Sequence, residues 1–161
     1  MHLKTTMAAL AACLGAALCA PSFADITGGL TLSLTGPGSS LAIPTQKAVG
    51  IFPREIAGEK IKYVILDDAS DPAGAVKNFH KLVDEYKADV VMGSSISPAT
   101  LPLVNVAAET HVPLLSLAAS SKIVEPQDEV HRWTFKALQN QPLMMEVTVD
   151  HMIASKVKSV G

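Results

Sequence analysis

Beyond residue 24 the chain contains no cysteine, because Cys13 and Cys19 both fall in the N-terminal segment. A disulfide framework, a zinc–thiolate centre and a cysteine nucleophile are thereby excluded from everything downstream. Clusters of lysine and arginine are also missing, and the formal net charge is −2. That argues against nucleic acid, whose usual footprint is a basic stripe. No basic amphipathic helix is present to lie on a membrane surface. After residue 24 no stretch reaches the roughly 20 apolar residues that a spanning helix needs, so an integral membrane protein is not expected. A small soluble ligand or a protein partner remains.

The familiar catalytic and cofactor fingerprints are absent too. There is no Gly-x-Ser-x-Gly elbow, His-Glu-x-x-His pair, P-loop or Gly-x-Gly-x-x-Gly run. The five histidines, His2, His80, His111, His131 and His151, show no metal-ligand spacing. No enzyme, metal or cofactor is therefore expected. A serine hydrolase would require a serine to meet a histidine and an acid in space, an arrangement that spacing alone does not decide.

What is present begins with an export segment. Lys4 precedes an almost uninterrupted apolar run from Met7 to Ala20, followed by Pro21, Ser22, Phe23, Ala24 and Asp25. A charged start, an apolar middle and small residues before the junction form a secretory signal, with cleavage expected after Ala24. A lipoprotein reading at Leu10 to Cys13 leaves too short an apolar region before the cysteine.

The remainder alternates between two textures, the pattern of an α/β fold with an open parallel sheet covered by helices on both faces. Residues 29–35, 61–66, 88–92 and 112–116 read as strands. Val76, Phe79, Leu82, Val83 and Tyr86 recur at helical spacing, and residues 98–110 behave likewise, with Pro102 tightening the start of its turn. Trp133 and Phe135 are expected to pack the end of the unit, and Met144, Met145 and Met152 to pack a helix from Pro142 to about Lys156. Asp71 and Pro72 have the chemistry of a helix start: the carboxylate accepts free first-turn N–H groups, and the proline has no donor to lose. Asp67 and Asp68 read as part of that strand-to-helix turn. The alternative, Mg²⁺ held by paired acids for phosphoryl transfer, fits poorly with export.

Two serine-rich turns, Gly93-Ser94-Ser95-Ile96-Ser97 and Ser116-Leu117-Ala118-Ala119-Ser120-Ser121, each follow an apolar run. Loops at the carboxyl ends of parallel strands are where open α/β sheets bind ligands. Hydroxyls and free N–H groups with little fixed charge suit a carboxylate that must be held and then released. The plainer reading is that Ser94, Ser95 and Ser97 cap the helix starting near Pro98. The two uses are compatible, since helix N–H groups attract anions.

Residues 29–38, 67–73, 92–95 and 113–120, in their order and spacing, resemble the leucine/isoleucine/valine-binding protein family. Its members are periplasmic substrate-binding components of ABC importers with a Rossmann-like, type I periplasmic-binding-protein fold. The resemblance implies a periplasmic location, an amino acid or similar small ligand, and an inner-membrane ABC permease as partner of a full-length protein. By position it implies that Ser97 holds the ligand carboxylate, that the Ala118 carbonyl faces the ammonium, and that Ser120 contacts both. Ser95 and Ala119 border the same place. Leu41 stands where some members have a tyrosine flanking the pocket. Ser70 and Ile96 occupy the places of a disulfide that some members form.

The resemblance also implies two lobes and about twice this length. On that basis residues 1–24 are the signal peptide, 25–138 the N-terminal lobe, and 139–161 the crossover and start of a second lobe that is mostly missing, with a strand expected at 157–161. A truncated substrate-binding protein is the expectation. A sensory ligand-binding module and a non-functional fragment are the alternatives.

Overall fold

Runs of β-branched and aliphatic residues pair in register, and in the computed structural model they build one six-stranded sheet. The structure describes residues 25–159, so the expected signal peptide lies outside it. Strands β1 (Ile26–Leu32), β2 (Glu55–Ile56), β3 (Glu59–Asp67), β4 (Val90–Gly93), β5 (Leu114–Ser116) and β6 (Thr134–Lys136) lie in the order β2-β3-β1-β4-β5-β6. All neighbours are parallel except the short antiparallel β2–β3 pair. The α/β sheet expected from the sequence is thus present, with one antiparallel edge ribbon and a sixth strand that the apolar runs did not reveal.

The helices are α1 (Ser39–Val49), α2 (Pro72–Asp84), α3 (Ser97–Thr100), α4 (Leu103–Thr110) and α5 (Gln141–Ala154). Helix α2 lays Ala75, Phe79 and Leu82 against one face of the sheet, where Val91 and Leu114 meet Leu103, Val106 and Ala107 of α4. On the opposite face Leu30 and Leu32 pack with Ala42 and Val49 of α1, joined by Tyr63, Ile65 and Met92. Both faces are apolar because both are covered, as in parallel sheets generally.

Asp71 caps α2 as expected: its carboxylate accepts the Gly74 N–H at 2.7 Å, and Pro72 takes the first helical position. Residues 98–110 do not form one helix. Pro102 lacks the N–H that would reach back into the preceding turn, so the segment breaks there into α3 and α4. Trp133 packs against the α2/α4 core and meets His111 edge-on at 5.2 Å, whereas Phe135 is 56% exposed instead of buried. Helix α5 forms where expected but buries no residue, and Met144 and Met145 are exposed rather than packed. Val157 to Ser159 carry no strand, and residues 160–161 lie outside the described residues.

Candidate functional site

The carboxyl ends of β1, β3 and β4 are tied together by a buried polar knot. Asp68, 1% exposed, accepts from the Ser94 hydroxyl at 2.6 Å and from the Thr31 hydroxyl at 3.2 Å through Oδ2. Its Oδ1 accepts the Ser70 N–H at 2.9 Å. The hydroxyls of Ser33 and Ser94 lie 3.1 Å apart, and Thr100 donates to the Ser94 carbonyl at 3.1 Å. Every buried hydroxyl in this set finds a partner, which is the condition under which a polar cluster rigidifies a fold. Asp68 is therefore a structural anchor, and Ser94 is spent inside it.

Gly93 makes the sharp exit from β4 possible. Its φ is +125°, and a Cβ there would stand 1.9 Å from the Thr31 carbonyl oxygen. Only glycine tolerates both the dihedral and the approach. Nearby, Ser70 donates to the Thr35 carbonyl at 2.7 Å and accepts the Gly38 N–H at 3.0 Å, joining the β1–α1 and β3–α2 loops by hydrogen bonds. Asp67 supports the same loops. Burial nudges its carboxyl upward, but the Thr35 hydroxyl at 2.7 Å and the N–H groups of Ala69 and Thr35 outweigh this and hold it below the usual carboxylate value.

Beside this knot a cavity of about 430 Å³ opens between α1, the β4–α3 loop and the β5 loop, within the size range typical of small-molecule sites. Leu41, Ser95, Ser97, Ala118 and Ala119 all line it, so the structure brings five of the six sequence-selected residues together. Ser120 is not in the lining; its N–H donates to the Ser97 hydroxyl oxygen at 3.4 Å and links the two serine turns. The loop after β5 is shaped by Ser116, whose buried Oγ accepts the Ala118 N–H at 3.1 Å.

The capping reading of the serines is overturned. The residue before α3 is Ile96, and no side chain caps that four-residue helix. Ser95 is buried, and its Oγ has no hydrogen-bond partner. Buried hydroxyls are nearly always satisfied. At Ser95 the unpartnered hydroxyl has no accessible surface, in a residue that lines the cavity.

Several lining residues were not singled out from the sequence: Thr45, Ile96, Pro98, Leu117 and Leu138. Lys136 was not singled out either. It is the last residue of β6, and its ammonium donates to the Ala119 carbonyl at 3.1 Å. A strand-end position would have drawn attention to it had β6 been recognised. Among the described residues no group of three or more His, Cys, Asp or Glu could hold a metal ion, and no helix is long and apolar enough to cross a membrane.

Comparison with known proteins agrees with this architecture. The family described as periplasmic binding protein matches residues 25–161. A Leu/Ile/Val-binding protein of Rhizobium johnstonii is 35% identical over 127 residues, which cover 75% of this chain and 34% of that protein. The crystal structure of an extracellular ligand-binding receptor from Rhodopseudomonas palustris superposes with a TM-score of 0.80 at 42% identity, over 83% of this chain and 37% of that one. A branched-chain amino acid transporter substrate-binding protein of Streptococcus pneumoniae, solved in complex with isoleucine, gives 0.56 at 26% identity over 73% and 34%. The matched region thus spans about a third of the length of these relatives.

Proposed function

The chain belongs to the periplasmic binding protein family, and from that premise we propose that it holds a small carboxylate-bearing ligand in the cavity beside the Asp68 knot. The ligand class is amino acids of the branched-chain type and related small carboxylates or amides. The role is that of the substrate-binding component of an ABC importer, exported by cleavage after Ala24 and working in the periplasm. It is a binding protein rather than an enzyme. Residues 25–138 act as the ligand-gripping lobe, and residues 139–161 lead away from it.

One observation carries this reading: five residues chosen from two distant sequence turns and one helix meet around a single cavity. Ser97, with Ser95 beside it, supplies a hydroxyl donor for a carboxylate, and its oxygen accepts the Ser120 N–H at 3.4 Å. The Ala118 carbonyl offers an acceptor to an N–H of the ligand. Leu41, Ile96, Leu117 and Leu138 provide an apolar wall for its tail. Orientation thus comes from a few polar groups and contact area from aliphatic ones, the usual division in such sites.

The test is a titration of the ¹⁵N-labelled full chain followed by NMR, using leucine, isoleucine and their des-amino acids. Progressive shifts confined to residues 95–97 and 117–120 are expected. Spectra unmoved by the whole panel would sink the proposal.

A further inference from the structure

We infer that a second cavity, lined by His131, Arg132 and Lys136, is a binding site for a small phosphate monoester, separate from the cavity beside the Asp68 knot. Its volume is about 340 Å³, and it shares Leu138 with the first cavity, yet the two walls differ in character. No charged residue lines the first. The second carries two permanent cations, Arg132 and Lys136, together with His131, and no Asp or Glu. The inference stands on this wall and does not depend on how the first cavity is read.

Two acids stand outside that lining. Asp128 Oδ1 meets His131 Nδ1 at 2.7 Å and accepts the backbone N–H groups of Val130 and His131 at 3.0 and 2.9 Å, so it is spent locally. Glu129 holds Arg132 at 2.8 Å, but these side chains are 88% and 62% exposed, and an ion pair in water is weak enough to be exchanged for another anion. Among the described residues only Nη1 of the guanidinium is engaged, and Lys136 spends one of its three N–H groups, on the Ala119 carbonyl at 3.1 Å.

A guanidinium fork and an ammonium point charge in one wall match a doubly charged oxyanion better than a carboxylate, whose single charge either cation would balance. Asn140, the N-cap of the 14-residue α5, lines the same cavity and makes no side-chain cap bond, so the positive end of that helix adds to the field. Phe135, 56% exposed in the wall, offers a flat apolar surface to the organic part of an ester. A phosphate monoester uses all of these groups together.

Phenyl phosphate, benzoate and phenol make the test direct. In NMR titrations of the ¹⁵N-labelled full chain at pH 8, where a phosphate monoester carries close to two charges, phenyl phosphate should move the amides of residues 131–140 and bind about tenfold more tightly than benzoate. Phenol should leave those amides in place. Lys136→Met and Arg132→Gln should each weaken phenyl phosphate by about fivefold. Glu129→Gln releases the guanidinium at an exposed position and should strengthen binding by about threefold, a gain that damage to the fold cannot imitate. Benzoate or phenol binding as tightly as phenyl phosphate would overturn the inference, as would Glu129→Gln without a gain or an absence of any shift. Shifts confined to residues 95–97 and 117–120 would overturn it and leave the proposed function standing.

Discussion

The Ser94 hydroxyl donates to Asp68 Oδ2 at 2.6 Å in a wholly buried contact that joins the end of β4 to the end of β3. Because Ser33 at the end of β1 touches the same hydroxyl at 3.1 Å, three adjacent strands finish in one hydrogen-bonded knot. Of the segments lining the cavity, the β4–α3 loop leaves one of those strand ends and α1 follows another. Their starting geometry is therefore set from beneath by buried groups, an arrangement that keeps a site pre-organised.

Replacing Asp68 tests that dependence. Asp68→Ala leaves the Ser94 and Thr31 hydroxyls and the Ser70 N–H without their acceptor, and it should lower stability by about 3 kcal/mol, since each stranded buried donor carries a desolvation cost. Asp68→Asn puts an NH₂ group opposite donors and should cost nearly as much. Urea unfolding midpoints with an unchanged slope would read the loss; a change under about 0.5 kcal/mol would contradict the buried network.

Gly93→Ala should be more damaging than its size suggests. The added methyl must adopt φ +125° and would fall 1.9 Å from the Thr31 carbonyl oxygen. A loss of about 3 kcal/mol or more is expected, in the range of strain-driven substitutions. A thermal melt close to wild type would show that β4 can leave the sheet by another route.

Ser95 and Ser97 should respond with different signs. Ser95→Ala removes a buried hydroxyl that has no partner, so the free protein should be unchanged or stabilised by up to about 1 kcal/mol while ligand affinity falls less than in Ser97→Ala. Ser97→Ala breaks a long contact with Ser120 N–H at 3.4 Å, so stability should drop by less than about 1 kcal/mol and affinity by about tenfold. Paired unfolding and NMR titrations decide it. Clear destabilisation by Ser95→Ala would mean that its hydroxyl is satisfied after all.

The acid side of the stability curve is governed in part by Asp67. Its carboxyl is held below the usual carboxylate value. A group depressed in the folded state contributes stability that is complete above the unfolded value and is lost as pH falls through the folded one. Thr35→Val removes the 2.7 Å hydroxyl donor and should move the Asp67 carboxyl upward toward its ordinary value. The drop in stability between about pH 6 and about pH 2 should then be smaller in the variant than in wild type. A ¹³C titration of the Asp67 carboxyl that is identical in both proteins would refute this.

Local chemistry made much of the frame legible. Phe79 and Leu82 at helical spacing placed α2 on the sheet, and Asp71 with Pro72 marked its first turn to the residue. The long helix expected over 98–110 failed at Pro102, where one missing N–H outweighed a continuous apolar face. Helix α1 escaped notice because Leu41, Ile43 and Pro44 interrupt its periodicity, and only Ala42 and Val49 of it are buried. Strand β6 escaped because a three-residue Thr-Phe-Lys run with Phe135 exposed has no apolar signature of its own.

The sequence by itself determined the α/β class, the absence of thiol chemistry beyond residue 24, and the two serine turns at strand ends, because composition, periodicity and turn residues act over a few neighbours. Only the tertiary structure decided which serine does what. Ser94 and Ser95 are adjacent and chemically identical, yet Ser94 is consumed by Asp68 while the buried Ser95 hydroxyl has no partner. The same holds for Lys136, whose ammonium reaches Ala119 across 17 residues of chain only because β6 pairs beside β5. Hydrogen-bond partners depend on distances that pairing and packing create, and the order of residues along the chain does not contain them.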